Sequence, residues 1–127
     1  MKNKSVLIFA YGTLMTGYGN NSYMKDQKLI GKGNTVEEYT MYASGIPFIN
    51  EYKKTSQIQG ELWEIDIKRL PYIDSLEGHP SWYKRKQIPV EINGKTYTAW
   101  LYFNNDERGT VIKDGNFRNY TKQYNYN

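Results

Sequence analysis

The sequence contains no cysteine and a single histidine. The first absence excludes a disulfide framework, a cysteine nucleophile and thiolate metal sites. A lone histidine without cysteine also leaves few ligands for a transition-metal site. Long apolar runs are missing too. The run Val6 to Ala10 is too short for a signal-peptide core and far too short to span a membrane. Clustered charge is scarce as well: the formal net charge is +4, and lysines and arginines are interspersed with acidic residues. A nucleic-acid binder would more often show a basic stripe or a recognition module. No repeat at a solenoid period is present. The expectation is a soluble cytoplasmic protein without nucleic-acid or membrane partners.

What is present is one domain's worth of alternating apolar pattern. The 127 residues are expected to form a single domain over 1–127, long enough to bury a core without staples. Val6 to Tyr11 reads as a strand buried on both faces and ending at Gly12. Thr13 to Asn21 reads as a glycine-containing loop, and Tyr23 to Ile30 as a short helix or irregular chain. Val36 to Tyr42 is a second strand, and Phe48-Ile49 begins another. Ile58 to Ile65 alternates, with Ile58, Gly60 and Leu62 on one face and Trp63 and Ile65 on the other.

Asp66 reads as the N-cap of a helical segment that stops at Gly78. Pro71 either kinks that helix or marks its true start, since proline is accepted in a first turn. Lys86 to Ile92 and Thr96 to Phe103 form a hairpin about Asn93-Gly94. The polar tail from Asn104 is expected to wrap the body or to be partly disordered past about residue 120. Strands first, one short central helix and then a hairpin suggest an α+β fold, a small mixed β-barrel with few short helices.

Two segments could carry chemistry. At Tyr11-Gly12-Thr13-Leu14 a buried strand delivers a glycine and a hydroxyl residue into a loop whose N–H groups can converge on an anion; it also reads as a simple strand-ending turn. The spacing is not that of a nucleotide loop, because Tyr18 stands where lysine is required. The second segment is Asp74-Ser75-Leu76-Glu77-Gly78-His79-Pro80 with Tyr83 and Arg85. Glu77 falls in the last helical turn, where the helix dipole disfavours a carboxylate. Burial there would raise its pKa toward that of a usable base. The alternatives are an exposed glutamate beside a cap, or a partner of Arg85. His79 reads as a loop residue at a pocket rim, and Trp63, Trp100 and Tyr102 as core.

The ordered set of motifs resembles the γ-glutamyl cyclotransferase superfamily. Phe9 to Leu14 resembles its opening motif, and Gly60-Glu61-Leu62-Trp63-Glu64-Ile65 its mid-chain strand. Ile73 to Pro80 with Tyr83 and Arg85 resembles its catalytic segment, Ala99 to Tyr102 the strand that follows, and Gly115 to Tyr120 its closing segment, with Phe117 where tryptophan is usual. The residues after Glu77 are most similar to the γ-glutamylamine cyclotransferase branch.

That resemblance implies the γ-glutamyl cyclotransferase-like barrel. It also implies an enzyme that turns a γ-glutamyl amide into 5-oxoproline and a free amine, with no cofactor or metal. Glu77 would be the catalytic acid–base group. Tyr11, Gly12, Thr13 and Leu14 would bind the substrate's α-carboxylate, Tyr83 would line the pocket, and Arg85 would brace the segment. The partner would be a small γ-glutamyl molecule, and the protein a monomer or weak homo-oligomer. The other reading is a non-catalytic relative that uses the same pocket to hold a small anionic ligand.

Overall fold

The computed structural model describes residues 4–123. Among these are seven strands and two α-helices. The strands are β1 (Ser5–Ala10), β2 (Lys28–Ser44), β3 (Ile46–Asn50), β4 (Ser56–Asp66), β5 (Lys84–Ile92), β6 (Lys95–Phe103) and β7 (Thr110–Ile112). The helices are α1 (Leu70–Glu77) and α2 (Phe117–Gln123).

Five of the strands close a barrel in the order β2-β4-β1-β6-β5, with β5 returning to β2 at Asn34↔Glu91 and Thr35↔Val90. β1 runs parallel to β6 and antiparallel to β4; the other pairings are antiparallel. β3 and β7 pair with the far end of β2, outside the ring. This is the mixed barrel expected from the sequence.

β1 occupies the middle of the ring, which explains its continuous apolar run: Ile8, Phe9 and Ala10 are all buried, between two neighbours and on both faces. The Asn93-Gly94 hairpin forms with positive φ at both residues, as a two-residue turn between right-twisted strands requires.

Three expectations change. β2 is far longer than Val36 to Tyr42, because it bends through two register shifts, between Leu29 and Gly31 and between Asn34 and Glu38. Such irregularities break the alternation by which a strand is read. Tyr23 to Ile30 divides into the end of a 3-10 helix, Gly19–Met24, and the start of β2. The tail is ordered well past Asn104, through β7 and α2; the part of it beyond 123 lies outside the described residues.

The helical segment combines the two expectations held for it. The Asp66 side chain accepts from the Lys68 N–H at 2.9 Å, capping a 3-10 turn, Ile67–Arg69. The α-helix proper starts at Leu70, with Pro71 in its first turn. Leu70 and Ile73 are buried, and burial of such a side chain contributes about 2 kcal/mol. Glu77 follows them at i+7 and i+4, so the face that anchors the helix also turns Glu77 inward. No helix among the described residues is long and apolar enough to cross a membrane.

Candidate active site

Gly78 stops α1 in the left-handed region, φ 66° and ψ 34°, where glycine carries no Cβ penalty. The His79 N–H then donates to the Asp74 carbonyl at 2.9 Å. The chain folds back at once, with the Trp82 N–H donating to the Gly78 carbonyl and the Tyr83 N–H to the Glu77 carbonyl. Tyr83 is thereby returned to the side of Glu77.

Opposite them, β1 ends and Tyr11 to Leu14 begin the loop. The Met15 N–H closes a turn on the Gly12 carbonyl at 3.0 Å, and the N–H groups of Thr13 and Leu14 donate no hydrogen bond among the described residues. Two side chains of the 3-10 helix steady this turn. Asn20 Nδ2 donates to Thr13 Oγ1 at 2.8 Å, and Asn21 Nδ2 to the Leu14 carbonyl at 2.9 Å.

Between these two segments lies a cavity of about 200 Å³. It brings together the six residues that the resemblance assigns to catalysis and substrate binding: Tyr11, Gly12, Thr13, Leu14, Glu77 and Tyr83. Its remaining wall is mostly apolar, with Ile46, Pro47, Leu76 and Trp82 among it. Glu77 is the one charged side chain in that lining.

The electrostatics follow from who already has a partner. Tyr11 Oη donates to the Tyr102 carbonyl at 2.6 Å, Tyr83 Oη to the Pro47 carbonyl at 2.8 Å, and Tyr102 Oη to Asp74 Oδ1 at 2.6 Å. Burial first, and the nearby Glu77 charge further, push all three phenols up, so they stay protonated. None of these hydroxyls is turned to Glu77, and among the described residues no donor hydrogen-bonds its carboxylate. Burial therefore acts unopposed, and the carboxyl is pushed up from the ordinary 4.5 to about 7. A carboxylate tuned to neutral pH inside an apolar cavity can both take and return a proton.

Arg85 is not the partner of Glu77. Its guanidinium grips Asp74 with Nε to Oδ1 at 2.8 Å and Nη2 to Oδ2 at 3.1 Å, and lies 4.3 Å over the Trp100 ring. Burial pushes the Asp74 carboxyl up, but the hydrogen bonds from Arg85 and Tyr102 outweigh it and hold Asp74 below its usual range. Arg85 so braces the segment that carries Glu77.

His79 departs from its expected place. It does not line the cavity; Nδ1 accepts the Arg85 N–H at 3.2 Å, and its ring meets Tyr102 edge-on. Tyr102 is buried in the core, as read, and also forms part of the cavity wall. Asn20 and Trp82 were also missed. Trp82 remains half exposed at the cavity, and nothing local in the sequence separates it from any loop tryptophan.

Comparison with known proteins gives a consistent result. The profile of the family described as "Gamma-glutamyl cyclotransferase, AIG2-like" matches residues 8–119. A protein of Methanocaldococcus jannaschii, provisionally named a gamma-glutamylcyclotransferase, is 44% identical over 115 residues, 89% of this chain and 96% of its own. The gamma-glutamylaminecyclotransferase of Rattus norvegicus is 35% identical over 94 residues, 67% of this chain and 63% of its own. Among solved structures, an AIG2-like protein from Mus musculus superposes with a TM-score of 0.72 at 29% identity, covering 79% of this chain and 77% of that one.

Proposed function

Because the chain belongs to the gamma-glutamyl cyclotransferase, AIG2-like family, we propose that it converts a γ-glutamyl amide into 5-oxoproline and a free amine, with Glu77 as the acid–base group. The observation that carries this reading is the single carboxylate in the cavity lining, pushed up to about 7 by burial, facing a loop whose Thr13 and Leu14 N–H groups donate no hydrogen bond among the described residues.

In this mechanism the substrate's α-carboxylate sits against the N–H groups of the Gly12–Leu14 turn, which suit an anion. The α-ammonium then lies beside Glu77 and gives it a proton. The freed amine attacks the γ-carbonyl carbon, a C–N bond forms, and a five-membered ring closes. Glu77 returns the proton to the amide nitrogen, the old C–N bond breaks, and the ring nitrogen's second proton leaves with the released amine as its ammonium. Nothing is oxidised or reduced.

Acid–base assistance of this kind contributes about 10²–10⁴-fold. Because the nucleophile is tethered to the electrophile, orientation is the larger lever, with effective molarities on the order of 10⁵ M or more in well-aligned cases. Tyr83 walls the pocket beside Glu77, and the phenols leave the carboxylate unpaired and therefore basic. The name of the rat relative, a gamma-glutamylaminecyclotransferase, favours an amine as leaving group. The test is 5-oxoproline release from a panel of γ-glutamyl amines by the natural protein and by Glu77→Gln.

A further inference from the structure

Beside the loop, outside the lining of the cavity that holds Glu77 and against a second one that it lines itself, stands a buried ionic group that the proposed chemistry does not use. Glu61 lies on β4, two residues before Trp63 and on the same face, and is 2% exposed. Its Oε1 accepts from the Thr16 N–H at 2.8 Å, from Thr16 Oγ1 at 3.2 Å and from Trp63 Nε1 at 3.2 Å. Among the described residues its Oε2 has no hydrogen bond and pairs with Arg118 Nη2 at 3.6 Å. Burying a carboxylate is costly even when it has a partner, and here one of the two oxygens has no hydrogen bond among the described residues. The three hydrogen bonds it accepts all fall on the other oxygen, and two of them come from Thr16, so its place points to a role in holding the loop.

Arg118 belongs to α2, which packs on the same loop. The same Nη2 donates to the Thr16 carbonyl at 2.8 Å. The guanidinium lies 5.0 Å from the Tyr18 ring. Tyr18 also packs against Phe117 at 5.7 Å and shares a 2.6 Å hydrogen bond with Thr121. Thr16 is thus held at both ends of its backbone, its N–H by Glu61 and its C=O by Arg118. It directly follows the turn from Gly12 to Met15, which the Met15 N–H closes on the Gly12 carbonyl.

We propose that Glu61 and Arg118 are positioning residues: together they clamp Thr16 and so fix the aim of the Gly12–Leu14 N–H groups on the substrate's carboxylate. The catalytic consequence rests on the function proposed above; the clamp itself does not. α2 thereby becomes part of the site from outside it. The prediction is a loss in binding, not in the proton transfer at Glu77, which lies across the cavity.

The test pairs amide hydrogen exchange with kinetics on Arg118→Ala and Arg118→Lys. A hydrogen bond to a charged group is worth enough that Arg118→Ala should speed exchange across residues 12–19 about tenfold, leaving β5 and β6 unchanged. KM for a γ-glutamyl amide should rise about tenfold, with kcat within about twofold and its pH dependence unmoved. Arg118→Lys keeps the charge near Glu61 but lacks the planar fork, so it should fall between. Unchanged exchange in the loop would overturn the clamp, as would a KM that stays put while kcat falls. If the natural protein released no 5-oxoproline while loop exchange still quickened in Arg118→Ala, the reaction would be refuted and the clamp upheld.

Discussion

Replacing Glu77 by glutamine should favour the folded protein increasingly as pH rises from about 4.5 to about 7. The carboxyl is pushed up from the ordinary 4.5 to about 7 by burial, with no hydrogen bond among the described residues to offset the cost. At about 1.4 kcal/mol for each tenfold in the ionisation equilibrium, the folded state is disfavoured by about 3 kcal/mol once Glu77 is charged. The sign follows from proton linkage: the folded chain holds the Glu77 proton more tightly than the unfolded chain does. This term therefore lowers stability as pH rises from about 4.5 to about 7, and is constant above that. Glutamine has no such term.

Urea denaturation of both proteins from pH 4.5 to 8.5 should show a difference that grows in favour of Glu77→Gln by about 2–3 kcal/mol across this window and then levels off. Any cost of burying the amide is a constant offset and does not alter the slope. A difference independent of pH would refute the claim that Glu77 is desolvated and unpaired, and with it the basis for its proton affinity.

Two further changes probe the walls of the site. A Cβ at Gly12 would come 2.7 Å from Pro47 Cγ, so Gly12→Ala must shift either the loop or the strand whose Pro47 carbonyl receives Tyr83. It should raise KM several-fold while costing about 1–3 kcal/mol of stability, read by kinetics beside thermal unfolding. Asp74→Asn removes the charge held by Arg85 and Tyr102 at a site about one-fifth exposed, and should cost about 1–3 kcal/mol at neutral pH. Because the Asp74 carboxyl is held low, that difference should shrink as pH falls through its depressed pKa, which acid titration of both proteins would follow.

The sequence made the punctuated parts of the fold legible. Gly78 with Pro80, Pro71 in a first turn and Asn93-Gly94 each mark a backbone angle, glycine and asparagine by tolerating positive φ and proline by fixing φ. Glu77 was legible only in part: a carboxylate in the last helical turn opposes the dipole, but an exposed glutamate or a partner of Arg85 fitted the same position, and the burial of Leu70 and Ile73 that turns it inward is seen only in the fold. β2 was not, because its bulges interrupt the alternation that identifies a strand.

Pairings across the fold were hidden in the same way. Arg85 could have met either Asp74 or Glu77 as far as spacing tells, and only the turn after Gly78 decides it. Tyr102 shares its face with Trp100, and strand parity does not reveal that one end of that face lines a cavity. Glu61 and Thr16 are joined only by the passage of the loop over β4, and Arg118 by the return of α2 from the far end of the chain.

The central claim is that Glu77 moves the proton in a ring closure that releases 5-oxoproline. Its most direct test is mass-spectrometric detection of 5-oxoproline from a panel of γ-glutamyl amines, with Glu77→Gln beside the natural protein, between pH 5 and 9. Release by the natural protein should rise to half its maximum near pH 7, and Glu77→Gln should lose about 10²-fold or more with ligand binding kept. Equal release from both proteins would contradict the role of Glu77. No release across the panel, with a small anion still bound in the cavity, would point instead to a protein that holds its ligand without converting it.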